Sequence, residues 1–241
     1  MNQDKKLRVL GLVLARGGSK RLPGKNLRPM LGKPLITWTI EASLACPAIS
    51  RTVVSTDSQA IADVALAAGA SVPFLRPAVL ADDDSSSADS ALHSINYLFD
   101  SEGQAYDVVV LLEPTSPLRA SSDLNNVIKL FAQQWDNTDA VVTVGAVGLE
   151  QPDVMKCMDE YGFISSWLAA VTDAKRVQPQ ALFPYGVAYA IKVSALQHFR
   201  SFYPPRMLGY AIQRWQNYEV DDEFDFVCVE TIMAYMQKRT L

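Results

Sequence analysis

The chain has 241 residues, 49% of them hydrophobic, which is enough for one sizeable core. Its formal net charge of -4 argues against a general nucleic-acid partner, and no apolar run approaches the length that spans a membrane. Three widely spaced cysteines predict reduced thiols in a cytoplasmic protein, and the two histidines argue against a zinc site or a histidine-based triad.

The first predicted element is a buried strand from Leu7 to Ala15 that opens into the loop R-G-G-S-K-R-L-P-G-K-N. Glycines let a backbone turn its N–H groups toward a ligand, and the four cations of this loop neutralise charge. Ser19 stands where a P-loop has its first glycine, and the G-x-G-x-x-G of dinucleotide folds is absent. We therefore predict another kind of phosphate-binding loop; the alternative is a solvated basic loop.

Strand and helix patterns alternate along most of the remaining chain. Helices are predicted from Pro34 to Leu44, over 58–68, 88–99, 121–135 and 194–201, and in a last segment ending at Lys238. Strands are predicted over 51–55, 72–75, 106–112, 139–147 and 185–193, with an extended stretch at 210–215. This alternation predicts an α/β fold with three layers and a mostly parallel sheet, whose ligands bind at the carboxyl ends of the strands.

The alternation is interrupted between Gly148 and Pro184. This stretch contains a hairpin pattern about a turn at 159–162, followed by an irregular, proline-rich segment. It is too short to fold alone, so it is expected to pack on a partner surface, most simply a second copy of the chain. We predict one domain over 1–241 that carries a small dimerisation insertion at 148–184.

Two further loops carry candidate ligand-binding residues. The most apolar strand ends in E-P-T-S-P-L-R, Glu113 to Arg119, where two prolines predict a rigid, preformed loop. Arg76 opens the second loop, in which three acids and three serines precede a helix. Helix capping is the alternative role of those serines.

A cluster of acids precedes the last helix. In an extended segment Glu219 and Asp221 share a face, and two carboxylates beside phosphates suit Mg²⁺. The acids at 222, 223 and 225 are explained by the preference of helix N-terminal turns for negative charge.

The order of motifs resembles a known family. The segments A-R-G-G-S-K-R-L-P-G-K-N, G-K-P-L-I, S-T-D, R-P-x-x-L, L-L-E-P-T-S-P-L-R and Y-E-V-D-D-E-F-D-F are similar to those of the acylneuraminate cytidylyltransferases, over Val9 to Glu230. The resemblance implies a nucleotidyltransferase fold and a homodimer with sites completed across its interface. It also implies Mg²⁺-dependent transfer of CMP from CTP to the anomeric hydroxyl of a nine-carbon 2-keto sugar acid, with release of pyrophosphate.

The resemblance also assigns roles to residues of this chain. Catalytic roles fall to Arg16, Lys20 and Asp221, and metal binding to Glu219 and Asp221. The implied nucleotide-binding residues are Arg16, Gly17, Gly18, Ser19, Lys20, Lys25, Asn26, Arg76, Ser86 and Ser87. The implied sugar-binding residues are Glu113, Thr115, Ser116, Arg119, Lys175, Arg176, Tyr185 and Tyr189, with Lys156 as another candidate for the sugar carboxylate.

The departures from the family pattern lie mainly on the sugar side. Many members have glutamine at Glu113 and asparagine at Tyr185, and aspartate is usual at Glu219. We therefore expect CTP as the nucleotide and leave the sugar open between N-acylneuraminate and a bacterial nonulosonate such as legionaminate.

Three alternatives remain. The first is transfer to the eight-carbon acid Kdo, whose enzymes usually carry a different loop, S-x-R-x-P-G-K. The others are a glycosyltransferase on the same type of sheet and a nucleotide-binding relative that has lost its chemistry.

Overall fold

The computed structural model describes residues 7–82, 84–148, 151–152, 154–158, 160–167 and 181–240. The strands are β1 Val9–Leu14, β2 Pro29–Met30, β3 Lys33–Pro34, β4 Arg51–Ser55, β5 Val108–Leu111, β6 Ala140–Ala146, β7 Lys156–Met158, β8 Ile164–Ser166, β9 Leu182–Lys192 and β10 Met207–Ala211. The helices are α1 Leu35–Leu44, α2 Gln59–Ala67, α3 Ser87–Glu102, α4 Ser121–Gln133, α5 Val193–Phe199 and α6 Glu223–Thr240. Short 3₁₀ helices span Lys25–Leu27, Ala78–Leu80 and Arg214–Gln216.

Six strands form the central sheet, in the order β10-β6-β9-β5-β1-β4. β1 is parallel to both β4 and β5, and β6 is parallel to β10. β9 runs antiparallel between β5 and β6, so its first residues lie beside the carboxyl end of β5. The predicted α/β fold with a mostly parallel sheet is confirmed, and β5, the most apolar strand, lies inside it as its sequence requires.

The strands alternate their side chains between two apolar layers, because successive residues of a strand point to opposite faces. Val9 and Val13 pack in a cluster with α1, α2 and α4, whereas Leu10 and Leu12 pack in another with α3 and α5. A third, smaller cluster joins α6 to the glycine-rich loop through Leu22. Helices on both faces of the sheet make the three predicted layers.

Two local predictions are wrong. Residues 72–75 form no strand; there is one isolated bridge just before them, Ser71 to Val53, and one at their last residue, Leu75 to Thr56. Pro73 has no N–H to donate to a ladder, which explains the interruption. The extended stretch predicted at 210–215 lies three residues earlier, since β10 spans Met207–Ala211 and the 3₁₀ helix Arg214–Gln216 follows it.

The hairpin predicted within 148–184 is present as β7 and β8, which pair antiparallel. β9 begins at Leu182, so the end of this segment joins the central sheet. The hairpin exposes large apolar side chains, Met158 by 72%, Phe163 by 74% and Ile164 by 68%. Large exposed apolar patches are typical of interaction sites. No helix in the described part of the chain has both the length and the apolar character needed to cross a membrane.

Candidate functional site

The glycine-rich loop begins where β1 ends, at the carboxyl edge of the sheet. Two hydrogen bonds hold its shape. Within the loop, the Asn26 side chain donates to the backbone oxygen of Arg16 at 3.0 Å. From outside the loop, Asp57 Oδ1 accepts the Gly17 N–H at 2.9 Å. A Cβ on Gly17 would lie 3.1 Å from the Cβ of Ser58, so this position is crowded. Asn26 is thus buried beneath the loop as a support, and Asp57, the last residue of the S-T-D motif, anchors the loop to the segment after β4.

The loop forms one wall of a cleft of about 470 Å³. Four cations and two carboxylates face this cleft, together with polar and apolar residues. Its lining is Leu14, Arg16, Ser19, Lys20, Arg21, Leu22, Lys25, Asn26, Ser87, Leu111, Glu113, Pro114, Thr115 and Asp221. The structure therefore brings together the cationic loop, the loop after β5 and Asp221, which lie far apart in the sequence.

A second cavity of about 200 Å³ adjoins the cleft and shares Leu14, Arg16 and Ser87 with it. Arg76 lines this smaller lobe and is only 6% exposed, and its Nε has no hydrogen-bond partner among the described residues. Burial lowers the pKa of Arg76; the Asp57 carboxylate opposes this effect, and the Arg16 charge adds to it. A buried cation of this kind is stabilised by an anionic or hydrogen-bond-accepting ligand.

The two serines assigned to the nucleotide differ in their surroundings. Ser86 caps α3, since its Oγ accepts the N–H of Asp89 at 3.0 Å. Ser87 lines both the cleft and the smaller lobe. The capping alternative therefore explains Ser86, while Ser87 is available to a ligand.

The two carboxylates assigned to a metal have different partners. Asp221 faces the cleft, where it pairs with Arg21 at 2.9 Å and with Lys25 at 3.2 Å. Glu219 does not line the cleft; its Oε1 accepts from Ser116 Oγ at 2.8 Å and from the Gly186 N–H. The segment that carries them is a loop, so the alternation expected of a strand does not apply.

Glu219 and Asp221 differ in how well they suit Mg²⁺. Across the described residues no group of three or more His, Cys, Asp and Glu side chains is arranged to hold a metal. Mg²⁺ commonly uses one or two carboxylates plus substrate phosphates and water. Asp221 fits that role because it lines the cleft and its side chain is 47% exposed beside the glycine-rich loop, although each of its oxygens pairs with a cation of that loop. Glu219 fits it less well, since it does not line the cleft and one of its oxygens accepts two hydrogen bonds.

Comparison with known proteins agrees with this geometry. A family model described as cytidylyltransferase matches residues 10–162, more than half of the chain. The chain belongs to the cytidylyltransferase family. The CMP-N,N'-diacetyllegionaminic acid synthase of Legionella pneumophila is 40% identical over 156 residues, 65% of this chain and 65% of the relative. The N-acylneuraminate cytidylyltransferase of Escherichia coli O18:K1:H7 is 28% identical over 234 residues, 97% of this chain and 54% of the relative.

These matches span about half to two thirds of the length of the curated relatives. Among solved structures, a CMP:2-keto-3-deoxy-manno-octonic acid synthetase in complex with CTP superposes with a TM-score of 0.70. It is 18% identical, and the superposition covers 95% of this chain and 99% of that one. At this identity the likeness shows a common fold, which is the nucleotidyltransferase fold predicted from the motifs.

Glu113, at the position where the resemblance predicted glutamine in many members, has an unusual environment. A Cβ at Gly186 would lie 2.3 Å from Glu113 Oε2, so the glutamate side chain rests directly on the glycine. Burial and the nearby charges of Glu219 and Asp221 raise the pKa of Glu113 to about 7, against the opposing charge of Arg119. The sequence could not indicate this contact, because Glu113 and Gly186 meet only where antiparallel β9 passes the end of β5.

Arg119 lies beneath the sugar-side loop and does not line the cleft. Its guanidinium donates to the backbone oxygens of Glu113 at 3.0 Å and Gly186 at 2.7 Å, to Thr39 Oγ1 at 2.8 Å and to the Val187 oxygen. Burial lowers its pKa to about 10. These contacts make Arg119 a residue that positions the loop, whereas the resemblance assigned it to the sugar.

The other residues assigned to the sugar are spread over several environments. Thr115 lines the cleft, whereas Ser116 is buried and holds Glu219. Tyr189 is 7% exposed and packs among apolar residues on the α3 side of the sheet, which places its side chain in the core. The ring of Tyr185 contacts that of Phe183 at 5.0 Å between centroids, outside the cleft lining.

The remaining sugar-side candidates lie in the 148–184 segment. Lys175 and Arg176 lie outside the described residues. Lys156 is exposed on β7. The structure therefore leaves the assignment of these three cations as a prediction.

We expect Glu113→Gln to change the pH dependence of stability. The folded-state pKa of Glu113 is raised from 4.5 to about 7, so the folded protein binds more protons than the unfolded chain across this window. The contribution of this carboxyl group to folding stability is fully present below pH 4.5 and is lost as pH rises through 7. The free energy of unfolding of the variant should match that of wild type near pH 4.5 and exceed it at pH 8 by on the order of 2–3 kcal/mol.

Urea unfolding in EDTA at both pH values measures this difference. Glu160→Gln, on the exposed turn of the β7–β8 hairpin, is the control and should show the same stability relative to wild type at both pH values. If the stability of Glu113→Gln relative to wild type does not increase with pH, the raised pKa of Glu113 is contradicted.

Proposed function

We propose that this chain transfers CMP from CTP to the anomeric hydroxyl of a nine-carbon 2-keto sugar acid, giving the CMP-sugar and pyrophosphate. N-acylneuraminate and legionaminate are the acids we favour. The observation that carries this proposal is the cleft in which the four-cation glycine loop, Asp221 and the loop after β5 meet. Family membership and the names of the relatives support it.

The two lobes suit the two parts of a nucleoside triphosphate. The larger lobe carries Arg16, Lys20 and Lys25, which neutralise the charge of the phosphates. The smaller lobe, under Arg76 and Ser87, accepts the nucleoside. Arg16 lines both lobes, and this shared position supports its assignment to the α-phosphate.

In-line displacement at phosphorus depends mainly on positioning and electrostatic stabilisation. Arg16 and Lys20 stabilise negative charge on the α-phosphate and on the leaving pyrophosphate. Asp221 would hold Mg²⁺, and the bound ion would supply further charge neutralisation. Arg119 keeps the loop after β5 against β9, which fixes Glu113 and Thr115 on the acceptor side of the cleft.

We also propose that the chain acts as a homodimer in the cytoplasm, supplying CMP-sugars for cell-surface polysaccharide. The exposed apolar hairpin supports the dimer, since a second copy would bury it. All three cysteines are free thiols, which fits a reducing compartment.

Pyrophosphate release tests the proposed reaction. The protein is incubated with Mg²⁺, each of the four ribonucleoside triphosphates, and N-acetylneuraminic, legionaminic, pseudaminic or Kdo acid. We expect release with CTP alone among the nucleotides and with one nine-carbon acid. If the protein prefers Kdo, the nine-carbon acceptor that we propose is wrong.

A second measurement separates loss of chemistry from the wrong acceptor. If folded protein binds CTP but releases no pyrophosphate with any acid, the proposed reaction is wrong and the chain is a nucleotide-binding relative. Binding is measured by calorimetry on the same preparation.

A further inference from the structure

Glu219 lies where three separate segments of the chain meet. It belongs to the loop before α6, and its Oε1 accepts hydrogen bonds from Ser116 Oγ at 2.8 Å and from the Gly186 N–H. Ser116 lies in the loop after β5 and is only 1% exposed, whereas Gly186 lies in β9. One carboxylate oxygen therefore connects segments that are up to 103 positions apart in the sequence.

The backbone that follows Glu219 is held as well. The Val220 N–H donates to the backbone oxygen of Thr115 at 2.8 Å, and the Val220 oxygen accepts from Lys25 Nζ at 2.8 Å. The Val220 side chain is fully buried in the apolar cluster with α6. Val220 thus fixes the backbone between Glu219 and Asp221, each of which has its own set of partners.

The two acids therefore differ in what they reach. Asp221 lines the cleft and pairs with two cations of the glycine-rich loop, whereas Glu219 lines neither the cleft nor the smaller lobe. A carboxylate that holds Mg²⁺ together with substrate phosphates must face the space that the phosphates occupy. Of the two acids, only Asp221 meets this condition.

The hydrogen bonds of Glu219 act on the loop after β5, which forms part of the cleft wall through Glu113 and Thr115. Ser116 follows Thr115 directly, so the bond from its Oγ holds the loop at this point. The bond from the Gly186 N–H holds β9 where the glycine supports the Glu113 side chain, since a Cβ on Gly186 would lie 2.3 Å from Glu113 Oε2. Both bonds thus keep one wall of the cleft in place.

We infer that Glu219 is a positioning residue and not a metal ligand: its hydrogen bonds to Ser116 and Gly186 keep the loop after β5 and β9 in the arrangement that binds the sugar acid. The effect on the sugar acid rests on the proposed function, whereas the hydrogen-bonding role is measured without substrate. Glutamine retains an oxygen that accepts hydrogen bonds but lacks the charge with which a carboxylate binds Mg²⁺. The variants Glu219→Gln and Glu219→Ala therefore separate the two roles.

The first measurement is urea unfolding in EDTA. Glu219→Ala leaves the Gly186 N–H and the Ser116 hydroxyl without their acceptor, so its urea midpoint should fall below that of wild type. Glu219→Gln should keep a midpoint close to that of wild type. Burial is the main cause of the pKa shifts of Arg119 and Glu113; the charge of Glu219 raises both pKa values, so its loss removes an attraction and a repulsion together. The double variant Ser116→Ala/Glu219→Ala should be no less stable than Glu219→Ala, because the serine hydroxyl has already lost its acceptor.

Binding of Mn²⁺ is the second measurement, with the free ion followed by electron paramagnetic resonance in the presence of CTP and excess protein. Loss of a metal ligand should weaken Mn²⁺ binding at least about tenfold, since loss of a group that only supports a ligand already costs about 10- to 100-fold. We expect a loss of this size in Asp221→Asn. Glu219→Gln should bind Mn²⁺ with an affinity close to that of wild type.

Steady-state kinetics with a matched control are the third measurement. Glu230 is also a half-buried glutamate that accepts a backbone N–H, that of Leu31 at 2.8 Å, and it does not line the cleft. Glu219→Ala should raise KM for the sugar acid about tenfold and leave CTP affinity close to wild type, because displaced groups on one wall of the cleft affect one substrate. Glu230→Ala should lose stability but keep both values, and Glu219→Gln should keep the wild-type KM.

The inference is overturned if Glu219→Gln loses stability or sugar-acid affinity as Glu219→Ala does, or if it weakens Mn²⁺ binding about tenfold or more. It is also overturned if Glu219→Ala raises KM for the sugar acid no more than Glu230→Ala does. If folded wild type releases no pyrophosphate with any acid, the proposed function is wrong, and unfolding in EDTA still decides whether Glu219 acts through its hydrogen bonds.

Discussion

Lys20→Ala is expected to lower kcat for CTP-dependent pyrophosphate release by about 10²- to 10³-fold, the range seen when one charge-stabilising group is removed from an active site. Lys20 is exposed on the cleft wall, so its truncation removes charge without opening the core. The loss should appear mainly in kcat, because the proposed stabilisation acts on charge that develops during displacement.

Steady-state kinetics with saturating acceptor, together with thermal unfolding, measure this effect. Lys129→Ala is the control, since Lys129 is an exposed lysine on α4 that does not line the cleft. It should keep wild-type turnover and stability. Wild-type turnover in Lys20→Ala would remove the loop from the catalytic assignment, and the cleft would then need another source of charge stabilisation.

Gly186→Ala is expected to impair use of the sugar acid while leaving CTP binding intact. The added methyl would lie 2.3 Å from Glu113 Oε2 and 2.8 Å from its Cβ and Cδ, so the glutamate must leave its position. Overpacking of this kind costs about 1–3 kcal/mol of stability. Because Glu113 lines the cleft on the side that we propose for the acceptor, we expect KM for the sugar acid to rise about tenfold or more, the change that loss of one charged hydrogen bond produces.

Gly148→Ala is the matched glycine control. A Cβ there would lie 3.1 Å from Nη1 of Arg214, the far end of a flexible side chain that is able to move away. The double variant Glu113→Gly/Gly186→Ala removes every Glu113 atom that the new methyl would meet, so it should regain part of the stability lost in Gly186→Ala without regaining affinity for the sugar acid. If KM for the sugar acid is unchanged in Gly186→Ala, the contact between Glu113 and Gly186 has no part in acceptor binding.

The sequence by itself predicted the layers of the fold and the place of the phosphate-binding loop. These features depend on local patterns: apolar strands such as Val108–Leu111, amphipathic helices between them, and glycines with cations directly after β1. Right-handed crossovers then place the carboxyl ends of parallel strands at one edge. The prediction of a strand over 72–75 was wrong because it gave more weight to the apolar character of the segment than to the missing N–H of Pro73.

Tertiary structure alone decided how the loop after β5 is held at the cleft. β9 inserts antiparallel between β5 and β6, which places Gly186 against Glu113 and gives Arg119 its backbone acceptors. Asp221 likewise meets Arg21 only because α6 packs against Leu22. Spacing in a sequence indicates which side chains share one element, but contacts between distant elements depend on strand order and on packing of the core, which no local pattern contains.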